Sequence, residues 1–486
     1  MRVWRCNMAK TTTTSSFTDL PSAKNTPWWL TASPEHASDW RVNALIAVFL
    51  IGIYITALLG LWPGILGSDS FAILKEVIEP SLHFSGKTSI WYHLVSNLFL
   101  INDRVENVSI FLIAVSTLVF TRILSWLWLN QPKWIFFLCL LGIVINPQMV
   151  RYTILIYPDG IFSVALIGVL FECYLIIRRQ RVSIFSWIFL ALLLPFALDL
   201  RTNGRVLLIL PIVFIPIIRK GQRWSFVAAY LVGLSLCLWS NISHGTSPQK
   251  ATQSLVIWET VNFLQPRPQE HWRAKPRVSE TTIRTLEKYT TIDTLLKYYD
   301  PYYWDPLIFP QNGPKLASMS RADQKVLQQE FWRYNLWQNL PAFFGSRVNV
   351  FLGSALADGL HVPNNYRAHV LSTIKTNSKA NKFDSLELGG FMDRIHAWSE
   401  NNRIWLWSTL PGTILILYSL YIGAHYKNPI ALAISSIMFI ELAGIFLMSI
   451  AAEHRYHLPL FVFPLVALPL LWDDRRRRVT KNPPSE

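Results

Sequence analysis

Apolar runs of membrane-spanning length recur along most of the chain. A helix of about 20 apolar residues crosses the hydrocarbon core of a bilayer. Runs of this kind, several of them shorter, occupy residues 44–62, 108–127, 134–145, 161–177, 184–198, 206–218, 224–239, 404–423, 429–450 and 458–472. The pattern predicts an all-α polytopic membrane protein with about ten transmembrane helices, nine to eleven in all.

The first polar interval predicts two further helices. Residues 71–79 and 88–101 have amphipathic patterns, and both lie in the loop at 63–106 that follows the first run. We expect this loop on the outer side of the membrane. Its helices would then lie near the membrane surface, because their apolar faces need a partner there.

The longest polar interval, residues 241–403, is rich in aromatic residues and predicts an external region with its own helices. Ser320 and Asp323 have the spacing of a capping box, so a helix is expected from there to about residue 340. Residues 341–357 are apolar in part and too short for a confident span. We predict that they form a helix on the outer membrane surface.

These patterns divide the chain into five regions. Residues 1–43 are polar and rich in Ser and Thr, which indicates a disordered tail, with Met8 as an alternative start. The predicted regions are 1–43 as a cytoplasmic tail, 44–240 as transmembrane helices 1–7 with the candidate catalytic loop at 63–106, 241–403 as the long external region, 404–472 as helices 8–10, and 473–486 as a basic cytoplasmic tail.

Charge supports this arrangement and sets the expected orientation. The composition is 51% hydrophobic and 15% charged, with a net charge of +15. Basic tracts at 178–181, 219–223 and 475–478 fall between or after apolar runs, as the preference of Lys and Arg for the cytoplasmic side predicts. Both termini are therefore expected in the cytoplasm. This distribution does not favour nucleic acid as a partner.

One carboxylate follows the first apolar run almost directly. Asp69 lies in the sequence Gly67-Ser68-Asp69-Ser70, a few residues beyond the predicted membrane edge. A charged group at that depth is costly unless it is solvated or paired, so it is a candidate functional residue. The alternative is that Asp69 or Ser70 caps the helix that begins near residue 71.

With the predicted orientation, polar side chains concentrate on the outer connections. These residues are Asp69, His93, Arg151, Asp159, Asp199, Arg201, Asn203, Glu453, His454, Arg455, Tyr456 and His457. Arginines from different helix ends can bind one anionic headgroup, because the guanidinium group offers paired donors to phosphate or carboxylate. A nearby carboxylate can take a proton from a hydroxyl group as general base.

Structural alternatives exist for each of these groups. Asp159 follows Pro158 and would suit the N-cap of a transmembrane helix. Glu453 and Arg455 would suit an ion pair between the last two spans. Residues 199–204 would suit a solvated turn whose glycine supplies a positive φ. His93 would suit a hydrogen-bonded position at the membrane interface.

Three short elements resemble the bacterial multi-pass C-type (GT-C) glycosyltransferases, in particular protein mannosyltransferases and lipid A aminoarabinose transferases. Asp69 matches their acidic residue in the first external loop, where many members have a second acid but this chain has Ser70. The sequence Arg201-Thr202-Asn203-Gly204 matches an Arg-x-Asn-Gly element. The sequence Arg455-Tyr456-His457-Leu458-Pro459 matches an Arg-Tyr-x-x-Pro element at the start of the last span.

The resemblance implies an inverting transfer of a sugar from a polyprenyl-phosphate carrier to a glycan, lipid or protein acceptor, on the outer face of the bacterial cytoplasmic membrane. It makes Asp69 the general base, and Arg201 and Arg455 the ligands of the lipid phosphate. Asp159 is the candidate for a second catalytic acid. The other candidate substrate-binding residues are His93, Arg151, Asn203, Glu453 and Tyr456.

Some members of the family use a divalent metal and others do not. The sequence identifies no metal ligands, because its acids and histidines are too scattered, so metal dependence is left open. Two alternative functions are left open. One is a transporter or flippase of an anionic lipid-linked substrate, and the other is an O-antigen polymerase or ligase.

Overall fold

The computed structural model describes residues 39–79, 88–179, 182–244, 251–266, 277–359, 365–380 and 382–481. The tail predicted at 1–43 lies outside these ranges as far as residue 38, and so do the last five residues. The predicted boundary at residue 43 is wrong, because a helix already begins at Trp40. Within them the chain is helical, and its β pairing consists of two isolated bridges, Ile65–Leu155 and Tyr303–Ala451. The predicted all-α class is confirmed.

The N-terminal part of the fold is a helical bundle. Its helices are α1 (Trp40–Gly60), α2 (Ser68–Ile78), α3 (Ser89–Phe99), α4 (Glu106–Asn130), α5 (Lys133–Cys139), α6 (Pro147–Ile154), α7 (Pro158–Arg178), α8 (Ile184–Asp199), α9 (Leu210–Phe214) and α10 (Arg223–His244). Every residue of α7 is buried. A helix that is apolar on all sides is suited to the centre of a bundle, and α7 packs there against α4, α6 and α8.

The predicted long external region divides into two parts that pack differently. Its first helices are α11 (Ala251–Leu264), α12 (Glu280–Glu287), α13 (Ile292–Lys297), α14 (Arg321–Glu330), α15 (Leu336–Gln338) and α16 (Leu340–Ala355). These form a separate hydrophobic core and are called the middle unit. The predicted cap is present, because the Ser320 hydroxyl accepts a hydrogen bond from Asp323 N at 3.1 Å.

A fully buried ion pair stabilises the middle unit and connects it to the rest of the chain. Arg347 of α16 donates to the Glu259 carboxylate of α11, and both side chains are 0% exposed. Arg347 also donates to the carbonyl oxygen of Ser449. Its Cζ atom lies 4.9 Å from the centre of the Trp258 ring. A hydrogen bond therefore connects the middle unit to the chain at Ser449.

The second part of the long region packs on the main bundle. It contains α17 (Arg367–Thr373), α18 (Leu388–Asn401) and α19 (Arg403–Leu406). Val370 and Ile374 are buried in the main core, and α18 packs against α1 and α6. The chain then forms α20 (Leu410–His425), α21 (Pro429–Met448), α22 (Leu458–Val462) and α23 (Pro464–Lys481).

Seven helices among the described residues are long and apolar enough to cross a membrane: Trp40–Gly60, Glu106–Asn130, Pro158–Arg178, Lys220–Ser243, Arg403–His425, Pro429–Met448 and His454–Arg476. An eighth span would be the pair Lys133–Val144 and Pro147–Ile154, which is bent by 56°. Two shorter apolar helices are Ile184–Asp199 and Thr202–Phe214. The chain is thus a multi-pass helical membrane protein.

Two boundaries differ from the expected ones. Arg151 and Asp159 are predicted on an outer connection between the apolar runs at 134–145 and 161–177, but most side chains of residues 146–160 are buried. Asn146 caps a new helix there, with Pro147 in its first turn, so the chain turns back into the bundle. At the C-terminus, α23 continues through the predicted tail as far as Lys481.

Candidate functional site

An ion-paired arginine is at the centre of the candidate site. Arg455 lies in a short 3-10 turn, His454–His457, directly before α22. Its Nη1 atom donates to Asp69 Oδ2 at 2.6 Å, and its Nε atom pairs with the Glu453 carboxylate. The Asp69 side chain is 30% exposed and that of Arg455 is 15% exposed. The carboxylates of Asp69 and Glu453 therefore balance the positive charge of the Arg455 guanidinium group at a partly exposed surface.

The backbone before Asp69 is held by a second segment of the bundle. Ile65 pairs with Leu155 in a parallel bridge, and the Ser70 hydroxyl donates to the carbonyl oxygen of Ile156 at 3.0 Å. The amide of Asp69 donates to the Tyr157 hydroxyl at 3.1 Å. The helix α2 begins at Ser68 with Gly67 as its N-cap residue, so Asp69 lies within the first turn.

A glycine makes the close approach of this segment possible. Gly64 has a φ of 134°, and a Cβ atom there would lie 2.2 Å from Ser109 Oγ. That conformation strains any residue with a side chain. The chain can therefore pack the loop before Asp69 against α4 only because position 64 has no side chain.

A second ion pair lies beside the first. Arg201 donates to the Asp159 carboxylate, and Asp159 is 1% exposed. The other carboxylate oxygen of Asp159, Oδ2, is buried with no hydrogen-bond partner among the described residues. Asp159 lies in the first turn of α7, where a negative charge is favoured by the helix dipole, but its ion pair is with Arg201.

One aromatic ring connects the two ion pairs. The Cζ atoms of Arg201 and Arg455 lie 4.9 Å and 5.2 Å from the centre of the Tyr456 ring. These distances limit the separation of the two guanidinium groups to about 10 Å, and each contact is in the range of a cation–π interaction. The acid–arginine cluster, as it is called below, comprises Asp69, Tyr157, Asp159, Arg201, Glu453, Arg455 and Tyr456.

Tyr157 is the second aromatic ring beside Arg455. The Arg455 Cζ atom lies 5.2 Å from the ring centre. Burial, together with the neighbouring Asp69 carboxylate, raises the pKa of Tyr157 to about 12. Its hydroxyl group is therefore neutral near pH 7 and serves as a hydrogen-bonding partner of the Asp69 backbone.

The segment 199–204 is not a solvated turn, because Asp199, Leu200 and Gly204 are buried. Asp199 accepts a hydrogen bond from Asn241 at 2.9 Å and pairs with Arg205 at 3.8 Å, whereas Arg201 pairs with Asp159. Asn203 donates to the buried Glu441 carboxylate of α21. Gly204 is needed for close packing, because a Cβ atom there would lie 2.3 Å from the carbonyl oxygen of Ala197.

Two predicted substrate-binding residues lie in other surroundings. His93 of α3 shares a hydrogen bond of 2.8 Å with the Ser243 hydroxyl of α10 and stacks on Trp239 at 5.7 Å. Arg151 lies in α6, which packs against α18. His93 thus takes part in the contact between α3 and α10, and Arg151 lies on a helix that contacts α18.

Two buried histidines support the turn that carries Arg455. The ring of His454 lies 2.6 Å from the carbonyl oxygen of Trp407 and 3.3 Å from Gln148 Nε2. The His457 ring lies 3.2 Å from the Thr409 hydroxyl. Both histidines are 0% exposed. They fix the turn between Glu453 and α22 and so fix the direction of the Arg455 side chain.

The structure adds one carboxylate that sequence reasoning missed. The middle unit reaches the cluster through the Tyr303–Ala451 bridge, which ends two residues before Glu453. Asp305 lies two residues after Tyr303, and its side chain is half-buried. Burial raises its pKa to about 6, with further raising by Glu453 and Asp69 and lowering by Arg455. The sequence contains only a weak signal for it, an acid beside Trp304 in the densest aromatic run.

The side chains present do not fit a metal site. In the part of the chain that the structure describes, no group of three or more His, Cys, Asp or Glu side chains is placed to hold a metal ion. The carboxylates of the cluster are engaged instead with guanidinium groups.

Comparison of the chain with protein-family models gives no match, and neither curated proteins nor solved structures match it.

Proposed function

We propose that the chain is a membrane-embedded transferase whose donor is linked to a polyprenyl phosphate. One observation carries the proposal: a partly exposed carboxylate, Asp69, touches Arg455, and a second arginine, Arg201, lies within about 10 Å of that arginine across the Tyr456 ring. Such a site joins a candidate base to two candidate ligands of an anionic leaving group.

Within that class, we propose an inverting C-type glycosyltransferase that transfers a hexosyl or pentosyl group to a glycan, lipid or protein acceptor. The three short elements that resemble this family contribute Asp69, Arg201 and Arg455 to one cluster. The finer membrane arrangement belongs to the same proposal: about ten spans, with both termini in the cytoplasm of a bacterium and the cluster on the outer face.

The first step of the proposed reaction exchanges the partners of Arg455. A carboxylate that touches a guanidinium group is a weak base, because the positive charge favours its ionised form. A donor phosphate can replace Asp69 at the Nη1 atom, since phosphate oxygens match the donors of guanidinium. Glu453 would remain on Nε and keep the guanidinium group oriented. Donor binding thereby releases Asp69 for catalysis.

In the transfer step, Asp69 accepts the proton of the acceptor hydroxyl group. At the same time, the oxygen of that hydroxyl group forms a bond to the anomeric carbon of the sugar. The bond from that carbon to the phosphate oxygen breaks, and its electron pair leaves on the lipid phosphate. Arg455 and Arg201 stabilise the charge that develops there. Asp159 is almost fully buried against Arg201, so we assign it to positioning this arginine.

The function is tested by complementing a strain that lacks the protein. We expect the deletion to remove a sugar from a surface glycan, lipid or protein, and the parent chain to restore it. Asp69→Asn should not restore it at equal expression. Asp103→Asn is the matched control, because this exposed acid lies in the same loop region and should restore the sugar fully.

The outcomes separate the rival functions. If Asp69→Asn restores the sugar as well as the parent does, Asp69 is not a general base, and a transporter of a lipid-linked anion is favoured. Accumulation of unjoined glycan units in the deletion strain would favour an O-antigen polymerase or ligase. An unchanged glycan profile in the deletion strain would contradict the proposal.

The proposed orientation has a separate test. A reporter enzyme fused after Ser247 should lie outside the cytoplasm, and one fused after Gly221 should lie inside, because the basic tract at 219–223 is expected on the cytoplasmic side. The reversed pattern would place the cluster on the cytoplasmic face and would contradict a donor site on the outer face.

A further inference from the structure

Asp305 lies beside the acid–arginine cluster and belongs to the middle unit, which contributes none of the residues that define the cluster. It begins a 3-10 turn, Asp305–Leu307, immediately after the bridge that joins the middle unit to residues 450–452. The amide of Ala452 donates to the Tyr302 carbonyl oxygen at 2.8 Å, and that of Trp304 donates to the Ile450 carbonyl oxygen at 3.3 Å. These bonds fix the backbone of Asp305 next to the turn that carries Arg455.

Asp305 differs from the other acids of the cluster in its partners. Asp69 and Glu453 pair with Arg455, and Asp159 pairs with Arg201. Asp305 makes no ion pair with a described residue. The charged groups that act on it are Glu453, Arg455 and Asp69, two of them negative. It is therefore a surplus negative charge beside a site for an anion.

This surplus has a consequence for an anionic ligand. The cluster contains two arginines and three acids even without Asp305. A phosphate that approaches Arg455 gains from the guanidinium group but is repelled by every carboxylate that stays ionised. Asp305, which lies beside the cluster, can be neutralised without breaking an ion pair, because it makes none with a described residue.

We propose that Asp305 is a further residue of this site that controls its affinity for lipid phosphate: protonated Asp305 admits the anionic headgroup beside Arg455, and ionised Asp305 favours its release. The inference rests on the proposed function and identifies the residue that couples phosphate binding to proton uptake. Because the middle unit supplies it, docking of that unit becomes part of donor binding and product release.

The test measures binding of a polyprenyl phosphate to the full chain in lipid nanodiscs at pH 5, 6 and 7.5. The parent is compared with Asp305→Asn, with Asp305→Glu, which keeps the charge, and with Asp293→Asn. Asp293 is an exposed acid of the middle unit, so its substitution changes the net charge equally. Asp305→Ala serves as a second neutral variant should Asp305→Asn not be recovered folded.

We expect the neutral variant to bind more tightly than the parent by about fivefold or more at pH 7.5, the lower range of coupling between two sites. The affinity of Asp305→Asn divided by that of the parent should fall to about one at pH 5, because Asp305 of the parent is then protonated and also neutral. The second ionisation of a phosphate monoester, near pH 6, changes both affinities and cancels in this ratio.

An affinity ratio between Asp305→Asn and the parent that does not change with pH would overturn the inference alone, whether that ratio is one or larger. An equal effect of Asp293→Asn would also overturn it, because it would reflect only net charge. If the parent binds no polyprenyl phosphate at any pH, the proposed donor class fails and the inference fails with it. Asp305→Glu, which keeps the charge, should bind polyprenyl phosphate with the affinity of the parent at each pH.

Discussion

Asp69 and Arg455 are separated by 386 positions in the chain, yet Nη1 of the arginine lies 2.6 Å from Oδ2 of the acid. One residue follows the first span and the other precedes the last helix pair. Their contact joins the two ends of the bundle at a partly exposed surface. It also means that the candidate base is held by the group proposed to bind the leaving phosphate.

The first prediction concerns Asp69→Asn. Removal of a general base usually lowers a rate by about 10²–10⁴-fold, and we expect a loss of this size in the transfer rate. Stability should change little, because Glu453 still compensates Arg455. The rate and the melting temperature of the purified protein check this. A variant that unfolds, or one with the parent's rate, would contradict the assignment.

The second prediction concerns Arg455→Ala. This change leaves Asp69 and Glu453 without their cation, and removal of one partner of a fully buried pair costs about 3–5 kcal/mol. These side chains are partly exposed, so we expect about 1–3 kcal/mol. Adding Glu453→Gln should recover part of the loss. If the two substitutions are additive in unfolding experiments, the residues are not coupled.

The third prediction concerns the stability of Asp305→Asn. The folded pKa of Asp305, about 6, is above its ordinary value of 3.8, so the folded state binds the proton more tightly. The parent therefore loses stability as pH rises through this window. Asp305→Asn should match the parent near pH 4 and exceed it by about 1–2 kcal/mol at pH 7.5, allowing for partial exposure. A stability gap that is independent of pH would contradict the predicted environment.

The fourth prediction concerns the anchor of the middle unit. Arg347→Ala removes the partner of the fully buried Glu259, so we expect a loss of about 3–5 kcal/mol. The double variant Arg347→Met with Glu259→Leu should recover most of it, because apolar residues of similar size can replace a buried ion pair. Arg284→Ala is the control, since its pair with Glu280 is exposed and should contribute less than about 1 kcal/mol.

Some of the site could be predicted from residue positions alone. The position of Asp69, Arg201 and Arg455 at the ends of apolar runs predicts them as site residues, and they occupy one cluster. The pairing inside it was predictable only in part. Arg201 is two residues from Asp199 but pairs with Asp159, since Asp199 bonds to Asn241. Closeness in sequence therefore predicted the pair of Glu453 with Arg455, but not the pairs of Arg455 with Asp69 and of Arg201 with Asp159.

Helical structure and membrane character were determined by the sequence itself, because long apolar runs can satisfy their backbone hydrogen bonds in a bilayer only as helices. These are local properties of the chain. Except for Glu453 and Arg455, which pair two positions apart, the partners of the charges in the cluster were decided only by tertiary structure. The bridge from Tyr303 to Ala451 places Asp305 beside Glu453, and such contacts depend on how distant backbone segments pack, which leaves no periodic trace in the sequence.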